Sequence, residues 1–505
     1  MIRKKITTGS LLALLALGYS ACNENNIDLQ PLSPTEASFF TQEGDFEKGT
    51  FAIYSKMADF YTYRSNQNNP MLGFWQLPGD DITSTGNYAF ENFSINPSVN
   101  LIGDFYRTCY QLINRANTLL QKLDAEQGVI KTAGLKNRLR GEVLFLRGYA
   151  NYLLANYYGT SPLITERIIG TDAIYQPSSA DGALLDQAIK DLTEAATLLP
   201  ASWPVTFRGR VTKNSANGLL GKALVVRGSL KKSPADFTAA IAAFDNITGV
   251  ALVANYNDNF DVKTENNSES LFEYQSGNPP GFDNVWVGAN GNDEFAEIGS
   301  YSVYWGYYEN HYALFGNPRY IGTQKLLDAF EPADPRIKST IDPANKNFLK
   351  YWATGDQKSN SGNTSLNNPR ILRYADVLLL KAEAVLESGG STAGAIDLIN
   401  QVRTRARNMV PGGTVPANYA TTTTDKAQVF SWIMAERLRE LAGEDHIRWI
   451  DLRRWHIAGK INLGAGFNWS SARTDLNFDP AKHLLYPIPT SEIDLNPNVK
   501  QNPGY

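Results

Sequence analysis

The 505-residue chain contains only two cysteines, Cys22 and Cys109. So few cysteines exclude a fold that depends on a framework of disulfide bonds. The chain also lacks an excess of positive charge, because its formal net charge is -4 at pH 7. This charge balance excludes the strongly basic surface by which many proteins bind nucleic acid. Nucleic acid is therefore not an expected partner.

Long apolar runs and the signatures of common catalytic sites are missing as well. Beyond the first 21 residues, no apolar run is long enough to cross a membrane as a helix. The four histidines lack the close spacing of a zinc site. No nucleotide-binding, zinc-protease or serine-hydrolase fingerprint is present. The sequence predicts no cofactor and no metal site.

The first 21 residues have the pattern of a secretory signal peptide. Arg3, Lys4 and Lys5 precede a short apolar run, and mostly small residues stand directly before Cys22. The small residues favour a lipoprotein in which Cys22 is the mature N-terminus and carries lipid. The alternative is an ordinary cleaved signal with an incidental cysteine. In the lipoprotein, attachment to the membrane would be through the acyl chains at Cys22.

Apolar residues at helical spacing dominate two blocks of the chain. Eight helices are predicted, over residues 105–123, 135–158, 181–199, 215–228, 234–247, 371–388, 391–408 and 425–445. Gly159 is a predicted helix end, and Ser233 and Ser391 are predicted N-caps. Helix pairs of this length with short turns favour tetratricopeptide-like stacking, and the alternative is an irregular all-helical domain.

Helical spacing fades between residues 250 and 369, where glycine, asparagine, aspartate and aromatic residues become frequent. A second irregular stretch covers residues 70–100. We therefore expect a mainly α protein, with tetratricopeptide-like helix pairs as a scaffold and long, loop-rich insertions that carry short strands. The predicted divisions are a signal peptide (1–21), a helical region with a binding loop near 70–100 (22–249), an aromatic insertion (250–369) and a C-terminal region (370–505).

The last residues, 483–505, read HLLYPIPTSEIDLNPNVKQNPGY. Their prolines and Asn-Pro pairs predict an extended tail, and their apolar residues predict that it is ordered. With four upstream segments, this tail resembles the RagB/SusD family of surface nutrient-binding lipoproteins of Bacteroidetes-type bacteria. The four segments are GEVLFLRGYANYLLANYYGTSPLITE from Gly141, RILRYADVLLLKAEAVLE from Arg370, NQVRTRARN, and ERLRELAGEDHIRWIDLRRW from Glu436.

This resemblance has consequences for fold, location and partners. It implies a helical fold with tetratricopeptide-like pairs and a lipoprotein on the outer face of the outer membrane. It also implies a partner, a SusC-type TonB-dependent β-barrel transporter over which the protein sits as a lid. No catalytic activity is implied. The departures from the family pattern lie in the two loop regions, where ligand choice would be encoded.

The strongest binding signal is the segment YSVYWGYYENHYALF, residues 301–315. It holds seven aromatic rings, against 11% aromatic residues in the whole chain. Aromatic rings can stack on the apolar C–H faces of sugars, and tyrosine and tryptophan add polar groups for hydroxyls. The alternative is that the rings form a local core of the insertion. The candidate contacts in this region are Trp286, Asp293, Tyr301, Tyr304, Trp305, Tyr307 and Tyr308.

Further candidates lie in the 70–100 loop, namely Trp75, Asp80, Asp81 and Tyr88. A loop tryptophan at the surface would be a stacking platform. The paired aspartates could bond sugar hydroxyls, cap the turn, or serve as the acid and nucleophile of a glycoside hydrolase. No carboxylate separation can be read from the sequence, so neither aspartate is assigned a catalytic role.

Three glutamates, Glu436, Glu440 and Glu444, follow one another at intervals of four residues amid arginines. Carboxylates in such an arrangement could form an active site. Interlocked ion pairs that brace a helix would produce the same pattern, and this structural interpretation is favoured. Trp449 and Trp455, in the same family segment, are predicted core residues.

The sequence as a whole predicts a surface lipoprotein that captures an oligosaccharide and delivers it to a transporter, without catalysis. Two alternatives remain open. One is a secreted helical glycoside hydrolase that uses Asp80 or Asp81. The other is a module that binds peptides or glycopeptides with the same loops.

Overall fold

A computed structural model describes residues 38–61, 71–84, 86, 89–170, 174–276, 307–308, 311–312, 320–351, 367–469 and 475–505. The helices of these residues, α1 to α17 in chain order, are Glu43–Tyr54, Ala58–Tyr61, Met71–Gln76, Ala89–Asn92, Asn100–Ala125, Leu135–Tyr157, Ala183–Leu198, Lys213–Lys231, Pro234–Asp245, Gln324–Ala329, Ile337–Thr340, Tyr374–Glu387, Thr392–Asn408, Lys426–Leu441, Ile447–Ala458, Pro480–His483 and Thr490–Leu495. The strands β1 to β6 are Ile82–Ser84, Ser270–Glu273, Tyr307–Tyr308, His311–Tyr312, Tyr320–Gly322 and Arg370–Arg373. The mainly helical fold with a few short strands is confirmed.

The long helices form a continuous row, in which each helix packs on the next in the order α5, α6, α7, α8 and α9. Helix α9 then packs on α12, which contacts both α13 and α14. The two helical blocks are thus joined side by side, although the insertion separates them in the chain. Some approaches between helices are very close. A Cβ atom at Gly221 of α8 would lie 2.2 Å from the ring of Phe244 in α9.

The local signals for helix ends agree with the structure. Ser391 accepts a hydrogen bond from the Gly394 N–H at 3.0 Å, and Ser233 caps the helix that begins at Pro234. Gly159 has a φ of 70°, just beyond the end of α6. These signals are predictable because a cap satisfies backbone groups within about four residues of itself.

Two predicted features of the backbone are wrong. The stretch 70–100 is not irregular throughout, because Met71–Gln76 forms the buried helix α3. The tail, residues 483–505, is ordered but not extended throughout, since helix α17 follows Pro489 within it. Proline is tolerated at the first position of a helix or just before it, where no intrahelical N–H is needed.

The apolar faces of the helices build the core. Trp449 and Trp455 are buried, as predicted. Cys109 is buried and is not in a disulfide, so it packs as a small apolar side chain. A second cluster of apolar residues joins α12, α13 and α14.

The tail holds the end of α6 in place. The amide of Asn502 donates to the carbonyl oxygens of Tyr158, at 3.0 Å, and Tyr486, at 2.6 Å. The Tyr486 hydroxyl donates to the Phe74 carbonyl at 2.6 Å, and the Tyr486 N–H donates to the Tyr157 carbonyl at 2.7 Å. The last residues of the chain thereby connect α3 and α6.

Leu146 in α6 and Leu379 in α12 are fully buried. Replacing either with alanine should lower the free energy of unfolding by about 2–5 kcal/mol, because apolar surface is lost and a cavity is left. Denaturant titration would measure the change. Leu495, which is 70% exposed, is the matched control, and its alanine variant should keep nearly full stability. Equal effects in core and control variants would contradict the assigned helix faces.

Candidate functional site

The two predicted loop regions meet in the structure through a pair of short antiparallel strands. Strand β1 pairs with β5 so that Ile82 lies opposite Gly322 and Ser84 lies opposite Tyr320. Thr323 extends the contact, because its N–H donates to the Asp81 carbonyl at 2.9 Å. The chain therefore leaves β1 toward residue 85 and enters β5 from residue 319 at the same end of the strand pair.

Glu91 fixes the end of β1. Its carboxylate accepts hydrogen bonds from the Thr83 hydroxyl at 2.5 Å and from the Ser84 N–H at 3.0 Å. The Ser84 hydroxyl also donates to Glu91. Since a carboxylate can accept several hydrogen bonds at once, one side chain holds the backbone where the loop begins.

A second strand pair closes the foot of the insertion. Strand β2 pairs with β6, with Glu273 opposite Arg370. The Tyr274 N–H continues the ladder by donating to the Pro369 carbonyl at 3.0 Å. The chain therefore leaves the scaffold near Tyr274 and returns to it near Pro369. These two points, the loop roots, lie side by side.

The structure corrects the prediction that Trp75 is an exposed stacking platform. Trp75 belongs to helix α3 and is only 1% exposed. Its indole lies 4.4 Å from the imidazole of His446 and 6.1 Å from the ring of Tyr61, measured between ring centroids. The side chain is a core residue, because its large apolar area is removed from water by elements distant in the sequence.

The prediction that Asp80 and Asp81 bond a ligand is also wrong. Both side chains are fully buried. Asp80 accepts from Arg448 Nε at 2.5 Å and Nη2 at 3.0 Å, and it forms an ion pair with Lys325 at 2.6 Å. Asp81 accepts from the Gly443 N–H at 3.0 Å. Their role is to tie the 71–84 segment to α10 and to the turn before α15.

The electrostatic environments of the two aspartates differ. Burial raises the pKa of Asp80, but Arg448 and Lys325 outweigh it and hold that pKa below its ordinary value. Burial, only partly offset by Arg448, raises the pKa of Asp81 to about 6. Two carboxylates with separated pKa values can suggest acid–base catalysis. Here neither carboxylate is open to a substrate, so the arrangement is structural.

The remaining predicted contacts stay predictions. Tyr88, Trp286, Asp293, Tyr301, Tyr304 and Trp305 lie outside the described residues, as does the predicted lipidation residue Cys22. Tyr307 and Tyr308 form strand β3, which pairs with β4 so that Tyr307 lies opposite Tyr312. The structure thus places a short hairpin in the aromatic segment.

The three glutamates form a buried network of ion pairs, which confirms the structural interpretation. Arg373, Arg405 and Arg336 all donate to Glu440, and Arg336 also donates to Glu436 at 2.6 Å. Glu444 accepts from Arg373 Nε at 2.6 Å. The surrounding cations hold the pKa of Glu440 below its ordinary value, even though burial acts in the opposite direction.

The predicted helix over residues 425–445 is too long at its C-terminal end. It ends at Leu441, so Glu444 lies in the following turn. Gly443 has a φ of 65°, and a Cβ atom there would lie 2.3 Å from the ring of Phe348. The turn is therefore set by a close approach between a glycine and a residue of the insertion.

Sequence reasoning missed the residues that anchor the loop roots. Asp445 accepts hydrogen bonds from the hydroxyls of Tyr61, at 2.9 Å, and Tyr149, at 3.1 Å. The ring of Tyr61 stacks on that of Tyr274, with centroids 5.1 Å apart. Tyr61 directly precedes residues 62–70, and Tyr274 lies where the chain leaves the scaffold. No local pattern marks this arrangement, because its members are far apart in the sequence.

The described ranges lack two kinds of feature. No helix there is both long enough and apolar enough to pass through a membrane. Within the same ranges, no group of three or more histidine, cysteine, aspartate or glutamate side chains is placed to hold a metal ion.

Comparison with known proteins agrees with this architecture. Residues 301–505 match a protein family described as SusD family. Residues 50–224 match a family described as starch-binding associating with outer membrane. Together they include most of the first helical block, the whole of the second, the aromatic segment and the tail. The chain belongs to the SusD family, as its sequence predicted.

Individual relatives extend over the whole chain. SusD-like protein P2 of Formosa agariphila is 25% identical, with 100% of both chains covered. The starch-binding protein SusD of Bacteroides thetaiotaomicron is 22% identical, with 99% of both chains covered. Among solved structures, a laminarin-binding SusD-like protein is 26% identical with a TM-score of 0.73, covering 92% of this chain and 100% of its own.

The buried carboxyl of Asp445 generates a prediction about pH. Burial raises its pKa to about 7, although hydrogen bonds from Tyr61 and Tyr149 act in the opposite direction. Between about pH 4 and pH 7 the folded state holds a proton that the unfolded state has released, so this group's contribution to stability is lost as pH rises. In Asp445→Asn that contribution disappears. Urea unfolding from pH 4 to pH 8 should show wild type losing stability relative to the variant.

Other titrating groups are common to both proteins and cancel in the difference. Asp494→Asn, at an exposed position of α17, is the control and should follow the wild-type pH dependence. A constant difference between wild type and Asp445→Asn at every pH would contradict the raised pKa of Asp445.

Proposed function

We propose that the protein captures an oligosaccharide at the cell surface and passes it, uncleaved, to a SusC-type TonB-dependent transporter. The observation that carries the proposal is the β1–β5 pair, which holds the edges of both loop regions together on an ion-paired scaffold. Loops on a rigid base are the usual place for binding residues in a protein. Such a base lowers the ordering cost of binding.

The relatives support a saccharide as the captured nutrient. One solved relative is described as laminarin-binding, and SusD itself as starch-binding. These polysaccharides differ in linkage, so the relatives support the chemical class and leave the particular glycan open. The chain's own support is the aromatic segment 301–315, whose rings are suited to stack on pyranose faces.

The proposed mechanism is binding without chemistry. The hydrolase alternative depended on Asp80 or Asp81, and both carboxylates are buried and engaged by protein groups. An acid or nucleophile must reach the glycosidic oxygen or the anomeric carbon, which these side chains cannot do in this structure. Affinity should be modest, because a shallow aromatic surface buries little area and delivery requires release.

We further propose that the ligand contacts come from the loop residues outside the described ranges and from the β3 hairpin. The proposed stacking residues are Tyr88, Trp286, Tyr301, Tyr304, Trp305, Tyr307 and Tyr308, and Asp293 is the proposed hydrogen-bond partner of a hydroxyl. For location, one matching family is described as associating with the outer membrane. Lipid at Cys22 would provide the anchor.

The loop tryptophans provide a test of binding. Trp286→Ala and Trp305→Ala should each weaken binding by about 1 kcal/mol, the scale of one aromatic stacking contact, without lowering the melting temperature. The measurement is calorimetry with an oligosaccharide that the wild type binds on a glycan array. Trp455→Ala is the control, and it should lower the melting temperature because Trp455 is buried.

Several outcomes would count against the proposal. Full affinity in both loop variants would remove these tryptophans from the site. A matching fall in melting temperature would show that they form a local core. Binding to a peptide panel but not to the glycan array would favour the peptide-binding alternative, and new reducing ends during incubation with glycans would favour the hydrolase.

Delivery predicts a partner. When the chain is purified with a tag from outer membranes in mild detergent, a large β-barrel protein should accompany it. The Cys22→Ala variant should be released from the membrane fraction, because the acyl chains supply the anchoring energy. Recovery of the lipoprotein alone would contradict delivery through a bound transporter while leaving glycan capture intact.

A further inference from the structure

A cavity of about 640 Å³ lies between helix α1, the segment 205–210 and the end of strand β2. Its volume is within the range of small-molecule binding sites. The described residues that line it lie in or next to helix α1, the segment 205–210 and the end of strand β2. One of them is Tyr274, whose ring stacks on Tyr61 where the chain leaves the scaffold.

Two exposed aromatic rings border the cavity. Phe51 of α1 and Phe207 of the segment 205–210 are each 39% exposed, and their rings stack with centroids 6.3 Å apart at an angle of 22°. Phenylalanine rings that remain open to water in a concave surface are candidates for contact with a ligand. Their near-parallel planes provide a flat apolar wall.

The rings rest on a rigid polar support. The guanidinium carbon of Arg210 lies 5.2 Å from each ring centroid and 3.8 Å from that of Trp203. Arg210 is held by buried Glu142, which accepts from its Nε at 2.8 Å and its Nη2 at 2.5 Å. The Tyr54 hydroxyl donates to the same carboxylate at 2.8 Å. A wall that is already ordered loses little entropy when a ligand binds.

The rim of the cavity is polar. Ser55, Thr206, Arg208 and Gln275 all line it and are exposed. A purely apolar ligand would remove these groups from water without replacing their hydrogen bonds, which is unfavourable. A sugar ring combines an apolar C–H face with hydroxyls around its edge, so it matches both the aromatic wall and the polar rim.

The charges of the residues that line the cavity narrow the choice of ligand further. Glu142 neutralises Arg210, and buried Glu273 accepts hydrogen bonds from the Asn266 N–H and the Asn368 amide. Among the described residues that line the cavity, the exposed charge is therefore the cation of Arg208. Because like charges repel, a positively charged amino sugar is disfavoured relative to a neutral or acidic sugar.

We propose that this cavity is a saccharide subsite in which a neutral or acidic sugar ring stacks on Phe51 and Phe207. The proposal rests on the proposed function, since it assumes that the protein captures a glycan. It adds a second binding surface, on the helical scaffold, to the contacts made by the loops.

The test uses the full chain and an array of neutral and acidic oligosaccharides that includes laminarihexaose and maltohexaose. The strongest saccharide of the array is then titrated by calorimetry into wild type, Phe207→Ala and Phe51→Ala. Each alanine variant should bind roughly three- to tenfold more weakly, as expected for the loss of a stacked ring. If the cavity acts as an independent site, one binding equivalent should be lost instead.

Matched variants separate stacking from folding. Phe207→Tyr keeps a ring and should bind nearly as wild type does. Tyr175, which is 49% exposed and does not line the cavity, is the control, and Tyr175→Ala should retain full affinity. Melting temperatures should change little in all variants, since every substituted ring is partly exposed and none belongs to the buried core.

The outcomes distinguish this inference from the proposed function. If wild type binds a saccharide and both Phe51→Ala and Phe207→Ala bind it equally well, the subsite is overturned and glycan capture stands. Failure of wild type to bind any saccharide overturns both. Binding of peptides that is lost in Phe207→Ala would assign the cavity to another ligand class and overturn the inference.

Discussion

The buried carboxylate of Glu440 is the interaction on which the rest of the structure depends. It receives hydrogen bonds from Arg336 of the insertion, Arg373 of β6 and Arg405 of α13. Removing one partner of a buried ion pair typically costs about 3–5 kcal/mol, because the other charge remains without compensation. Three segments that are distant in the sequence are therefore held at one point. If one of them moved away, the buried charges that remain would lose a partner, and the fold would be destabilised.

This network makes the insertion part of the scaffold. Lys350, near the end of the described part of the insertion, donates to Glu444 at 2.8 Å, and burial lowers its pKa to about 8. The β2–β6 pair closes the foot of the insertion, and the β1–β5 pair joins it to the 71–84 segment. The loops therefore begin and end on fixed positions. Residues within the loops can therefore differ without changing the interactions that hold the fold.

The cavity beside the loops also has a rigid, ion-paired support. Its exposed rings rest on Arg210, and Arg210 is fixed by a carboxylate that is fully buried in helix α6. Aromatic surfaces for weak, reversible binding need rigid support, because each stacking contact is worth only about 0.5–1.5 kcal/mol beyond the area it buries. A wall that had to be ordered on binding would lose most of that gain.

The sequence alone determined the features that arise within a few residues of one another. Apolar spacing predicted the helices that contain the buried Leu146 and Leu379, Ser391 predicted a helix start, and ordered motifs predicted the family. Each signal is local, or is a pattern that repeats along one helix, so no knowledge of distant partners was needed.

Only the tertiary structure decided what Trp75 and Asp80 do. In the sequence they are an aromatic and an acidic residue in a loop, which is typical of a binding site. In the fold, Trp75 lies against His446 and Asp80 accepts from Arg448, and both partners are more than three hundred residues away. Whether a side chain faces water or a partner depends on which distant segments pack beside it. Long-range packing sets that environment, and no local pattern encodes it.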